Sequence, residues 1–112
     1  MATLTINDCP IESTVFLIGN KWKPIIIYYL LDGKKRFNEM KRILMPINQK
    51  ILTDNLRALE ETGLIKRTVY AQVPVKVEYE LTDLGRKLEP IIREMKIFGE
   101  KYDEYENERS KK

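Results

Sequence analysis

Apolar residues recur along this chain first at helical spacing, then at every second position, then at helical spacing again. Pro10 suits a first helical turn. Ile11, Val15 and Ile18 follow at i, i+4 and i+7, giving a helix with one apolar face that Gly19-Asn20 stops. Pro24 opens a second helix. Its run from Ile25 to Leu31 is apolar or aromatic on every side, which predicts burial nearly all round until Asp32-Gly33 ends it. Trp22, Tyr28 and Tyr29 fall in or beside this stretch and read as core or interface. Asn38 caps a short helix to Leu44, with Phe37, Met40, Ile43 and Leu44 turned inward, and Pro46 breaks it. Asn48 caps another over 49–62, with Leu52, Leu56 and Leu59 as its core face, Ile51 beside them and Gly63 as terminator.

The period then shortens to two. Residues 64–71 and 75–81 are rich in β-formers, with alternation clearest in Val77-Glu78-Tyr79-Glu80-Leu81, and Gln72-Val73-Pro74 makes a hairpin tip. Thr82 caps a last long helix. Its stripe of Leu84, Leu88, Ile91, Ile92, Met95, Phe98, Tyr102 and Tyr105 is interrupted by Pro90, which predicts a kink. Four helices, a hairpin and a long helix describe a mainly α fold with a β-hairpin wing, the winged helix-turn-helix. The chain reads as one domain. Helices at 9–19 and 83–106 are for dimerisation, 38–62 is the helix-turn-helix, 64–82 the wing and 107–112 a flexible tail.

Charge sharpens this picture. Between Lys21 and Arg57 nine basic residues face three acids, so that segment carries +6 while the whole chain carries +3. A basic middle in an otherwise acidic chain is the footprint of a polyanion-binding face. The chemistry is narrow: one cysteine and no histidine rule out an intrachain disulfide, a Ser-His or Cys-His nucleophile pair and a zinc site built on several such ligands. The glycines are scattered singly, so there is no phosphate loop. We therefore expect no enzyme, metal or cofactor. No apolar run is long enough for a membrane span and the start lacks a secretory pattern, so a cytoplasmic protein is expected.

Several segments together resemble one family. They are Cys9-Pro10-Ile11-Glu12, Ile18-Gly19-Asn20-Lys21-Trp22, Leu30-Leu31-Asp32-Gly33 with Arg36-Phe37-Asn38-Glu39, and Gln49-Lys50-Ile51-Leu52-Thr53 with Leu56-Arg57-Ala58-Leu59-Glu60. The hairpin Tyr70 to Tyr79 and Leu81-Thr82-Asp83-Leu84-Gly85 complete the set. In this order they resemble the HxlR-type regulators, bacterial relatives of the MarR-type regulators, over roughly Cys9 to Gly99. The resemblance implies a homodimer bound to a palindromic operator on double-stranded DNA, acting as a repressor. It also implies that an N-terminal cysteine can answer electrophiles or oxidants.

On this reading the helix after the turn is the recognition helix. Asn48, Gln49, Lys50, Thr53, Asp54 and Arg57 lie off its core face and are the candidates for contact in the major groove. An amide is more usual in the family where Asp54 stands; the acid either accepts from cytosine or points away. Lys34, Lys35, Arg36, Lys41 and Arg42 are candidates for phosphate contact, and Lys76 for contact from the wing. Ile11, Val15, Ile18, Ile91, Met95, Phe98 and Tyr102 are the expected dimer interface. Cys9, beside a helix N-terminus whose dipole favours the reactive thiolate, is the candidate sensor; a small buried hydrophobe is the other fate of such a residue. An oxidant, or a small molecule held in the dimer cleft, is the expected effector. The rival function is a winged helix used for protein–protein assembly without DNA.

Overall fold

The computed structural model describes residues 9–111. The helices are α1 (Pro10–Ile18), α2 (Trp22–Leu30), α3 (Phe37–Ile43), α4 (Gln49–Glu61), α5 (Asp83–Arg86) and α6 (Glu89–Ser110), with strands β1 (Lys35–Arg36), β2 (Ile65–Tyr70) and β3 (Lys76–Leu81) between them. The strands form one antiparallel sheet in the order β1-β3-β2. This is the winged helix-turn-helix that the hydrophobic pattern describes, with α3 and α4 as the two helices and β2–β3 as the wing.

The apolar run of α2 becomes the centre of the core. Ile26, Ile27 and Leu30 are fully buried there, and Met40, Leu52, Leu56 and Leu59 close on them from α3 and α4. Truncating any one of these to Ala would remove about 2–5 kcal/mol. The ends of α4 follow from single residues. Asn48 accepts from the Ile51 N–H at 2.8 Å, satisfying a donor that the first turn leaves free. Gly63, at φ +84, supplies the left-handed residue after the last turn.

Several expected details differ. Ile18, expected in a dimer interface, is 6% exposed and belongs to the core: it is the last residue of α1, where the helix meets the body. Ile43, expected to face inward, is exposed, while Ile51, expected beside the core face of α4, is exposed on its flank. In the two turns of α3 the Met40–Leu44 pair fills the inward direction, and Ile51 lies on the flank of the Leu52–Leu56–Leu59 face. Arg36 rather than Asn38 precedes α3, where the Glu39 carboxylate accepts from the Arg36 N–H at 2.8 Å. No long kinked helix follows the wing. Thr82 caps only α5, its hydroxyl accepting from the Gly85 N–H at 3.0 Å. Pro90 lies in the first turn of α6, where a missing N–H costs nothing. α6 also runs to Ser110, so most of the expected tail is helix; Lys112 lies outside the described residues. Strand β1 is too short to be seen as a hydrophobic pattern. It pairs Lys35 with Tyr79 and Arg36 with Glu78.

Gly85 is buried where α5 crosses the end of the wing, and a Cβ there would fall on the Leu64 carbonyl oxygen and against Leu81. Gly85→Ala is expected to cost about 1–3 kcal/mol through overpacking, read as a lower urea midpoint without change of slope.

Candidate nucleic-acid interface

Recognition by a helix needs one side fixed in a core and the other left free. In α4 Leu52, Asn55, Leu56 and Leu59 are buried, while Gln49, Lys50, Asp54 and Arg57 are exposed and Thr53 is half-buried. Asn48, just before them, is also exposed, although its side chain is occupied as the cap. Lys41 donates to the Gln49 side chain at 3.1 Å, joining the two helices of the motif across their turn. Lys50 and Asp54 form an i, i+4 pair at 2.7 Å, so Asp54 turns back along its own helix. The Lys50 ammonium hydrogen-bonded to it holds its carboxyl below the usual range.

The pose of α4 depends on an amide pair, half of it buried, that sequence reasoning missed. Asn55 is 8% exposed among apolar neighbours. Its Nδ2 donates to the Ile51 carbonyl at 2.8 Å and its Oδ1 accepts from Asn20 Nδ2 at 2.8 Å. Asn20 Oδ1 in turn accepts from the Trp22 and Lys23 N–H groups at 2.9 and 2.8 Å. Asn20, read from the sequence only as a helix stop, therefore also caps α2 and ties it to the recognition helix. The signal was a lone polar residue at position 55, inside the Leu52–Leu56–Leu59 face.

Of the basic residues before the turn, Lys34 and Lys35 are paired. Lys35 lies 2.8 Å from Asp32. Lys34 and Lys76 reach the two oxygens of Glu78, at 3.4 and 3.5 Å, and Lys76 also stands over the Tyr70 ring at 4.6 Å. Burial pushes the Glu78 carboxyl up. The Tyr70 hydroxyl and the ammonium groups of Lys34 and Lys76 beside it outweigh that and leave it below its ordinary value. Among the described residues Arg36, Arg42 and Arg57 have no such ion pair. Arg36, Arg42 and Lys76 line a groove of about 730 Å³ between α3 and the wing. Among the described residues Lys41 likewise has no carboxylate within ion-pair distance and bonds only the neutral Gln49 side chain.

Away from this face, α1 and α6 each expose a set of apolar residues. Ile11 and Val15 on α1 are 70% and 59% exposed, and Phe16, which the helical spacing did not single out, stands beside them. On α6 Ile91, Met95, Phe98 and Tyr102 are exposed, Phe98 at 69%, with its ring stacked 6.5 Å from that of Tyr102. Cys9 is exposed immediately before α1. Trp22 and Tyr28 are part-buried against the core and Tyr29 is exposed.

The profile of the HxlR-like helix-turn-helix family matches residues 17–107. YdeP of Bacillus subtilis, an uncharacterized HTH-type transcriptional regulator, is 56% identical over 96 residues, which is 86% of this chain and 75% of that protein. The redox regulator HypR in its reduced form is similar at TM-score 0.84 with 51% identity, covering 89% of this chain and 99% of that one. Its oxidised form is similar at TM-score 0.79 with 56% identity, covering 83% and 96%.

Because Glu78 is held below its ordinary value, its charged form stabilises the fold. That contribution is complete above the unfolded carboxylate range and is lost as pH falls through the folded value. Glu78→Gln is expected to melt below the wild type at neutral pH, and the gap is expected to close on acidification. A gap that stayed constant with pH would show that the charge is not the source.

Proposed function

The chain belongs to the HxlR-like helix-turn-helix family, and from that membership we propose that it is a homodimeric repressor that binds a palindromic operator and responds to oxidants or electrophiles through Cys9. Membership makes it a DNA-binding transcription regulator. The dimer, the operator symmetry, the repression and the sensor are our reading of its surfaces. The observation that carries the reading is the exposed polar side of α4, aimed by the Asn20–Asn55 pair and backed by a separate apolar face.

Two helices contribute to that apolar face, and in a monomer of this size it would be open to water. A two-fold axis through it would bury α1 and α6 of both copies and set the two α4 helices to read successive turns of the duplex. Gln49, Lys50 and Thr53 then face base edges, and Lys34, Arg36, Lys41, Arg42 and Arg57 position the backbone. Cys9 lies at the start of α1, so any group attached to it acts directly on the interface. As the only thiol of the chain, it can join Cys9 of a second copy, take up a small thiol or be alkylated. The likeness to HypR, a redox regulator, supports this role.

Fluorescence anisotropy on duplexes enriched from genomic fragments tests the reading. Reduced protein is expected to bind tightly with a steep fall in affinity on adding salt, since phosphate contacts release counterions. Mild thiol oxidation is expected to weaken binding, and Cys9→Ser is expected to bind like wild type but ignore the oxidant. Oxidant sensitivity surviving in Cys9→Ser would remove the sensor role, and failure to enrich any fragment would favour protein–protein assembly instead. Phe98→Glu is expected to shift the dimer to monomer in light scattering and to lower operator affinity at least tenfold. A variant that remains dimeric would place the interface elsewhere.

A further inference from the structure

Arg67 stands where the alternation of its own strand asks for an apolar side chain. Residues 65, 67 and 69 of β2 share one face of the sheet and pair with Leu81, Tyr79 and Val77 of β3. Ile65, Tyr79 and Leu81 on that face are buried core, yet Arg67 among them is exposed. It escapes burial because a cleft of about 300 Å³ opens here between the sheet and α4, lined by Thr53, Arg57, Glu60, Arg67 and Tyr79. Gln49, Thr53 and Arg57 recur every fourth residue, so this cleft continues the exposed side of α4 towards the wing.

The charges in the cleft are unbalanced in a particular way. Lys34, Lys35, Lys50 and Lys76 each have a carboxylate within ion-pair distance. Among the described residues Arg57 and Arg67 have none, although Glu60 lines the same cleft. Two guanidinium groups in one cleft repel each other unless an anion lies between them. With Glu60 counted, the cleft is left with one net positive charge, which matches the single charge of a phosphodiester. Guanidinium donors also suit phosphate oxygens in their planar fork geometry.

We propose that this cleft is a phosphate seat at the junction of recognition helix and wing, in which Arg57 and Arg67 together hold one backbone phosphodiester of the bound duplex. It rests on the DNA-binding reading above and adds to it a second, strand-borne donor beside the recognition helix. A phosphate held there makes no sequence-reading contact, so its loss weakens operator and random duplex alike.

The test compares wild type with Arg67→Gln and Lys66→Gln, each first shown to melt like wild type. The probes are a duplex enriched by the wild type and a random-sequence duplex of equal length, titrated over a salt series. Arg67→Gln is expected to flatten the slope of log affinity against log salt by roughly 0.9, the value for one lost phosphate contact on duplex DNA. Its affinity is expected to fall by similar factors on both duplexes. Lys66 points to the opposite face of the strand, and Lys66→Gln is expected to leave the slope unchanged. Wild type that binds its duplex while Arg67→Gln keeps the full slope would overturn the phosphate seat and leave the regulator reading intact. An equal loss in Lys66→Gln would reduce the effect to general charge and also overturn it. Absence of DNA binding by wild type would remove the regulator reading itself, and this inference with it.

Discussion

The packing of α4 against α2 is the constraint on which the remaining features rest. Leucines alone would hold the two helices together, but apolar contacts are non-directional and would tolerate a small rotation or slide of α4. The amide pair between Asn20 and Asn55 removes that freedom. Each of its polar groups has a partner at 2.8–2.9 Å, and a rotation of α4 that broke the bond to Asn20 would leave the buried Asn55 Oδ1 unsatisfied, at about 1–3 kcal/mol. The position of Gln49, Thr53 and Arg57 is thus set from behind, by a residue at the junction of α1 and α2. That junction also links α4 to the exposed apolar residues of α1 and to Cys9 before it.

The elements with many apolar residues were legible in the sequence. The all-apolar run of α2, the leucine face of α4 and the alternation of β3 each have enough period to declare themselves, and Asn48 and Gly63 mark their boundaries by local chemistry. The misreadings share a physical origin. Pro90 and Thr82 carry the same local preferences in a kinked helix as in two successive helices, and what decides is the crossing of α5 over Leu64, a contact distant in sequence. Ile18 and Ile43 are the last residues of their helices, where spacing leaves the direction ambiguous. β1 holds two residues and exists only because β3 is beside it. The continuation of α6 to Ser110 rests on local pairs such as Glu106 with Arg109, which a reading based on apolar periodicity overlooks.

The candidate interface was legible in its helix and much less so in its charges. Counting lysines around the turn located the basic region. The count did not reveal that Lys34 and Lys76 share Glu78, or that Lys50 is engaged by Asp54. Arg67 lay in an apolar register with no period to flag it. Which cations are spoken for is a property of strand register and helix crossing, and it is decided only when the chain is folded.

The middle of the wing has a consequence of its own. It is stitched to α3 by β1 and drawn together around Glu78, so the hairpin is ordered before any partner arrives. The configurational entropy that a loose arm would surrender on docking has here been surrendered during folding. A pre-ordered arm of this kind distinguishes one site from another less by how quickly it arrives than by how long it stays.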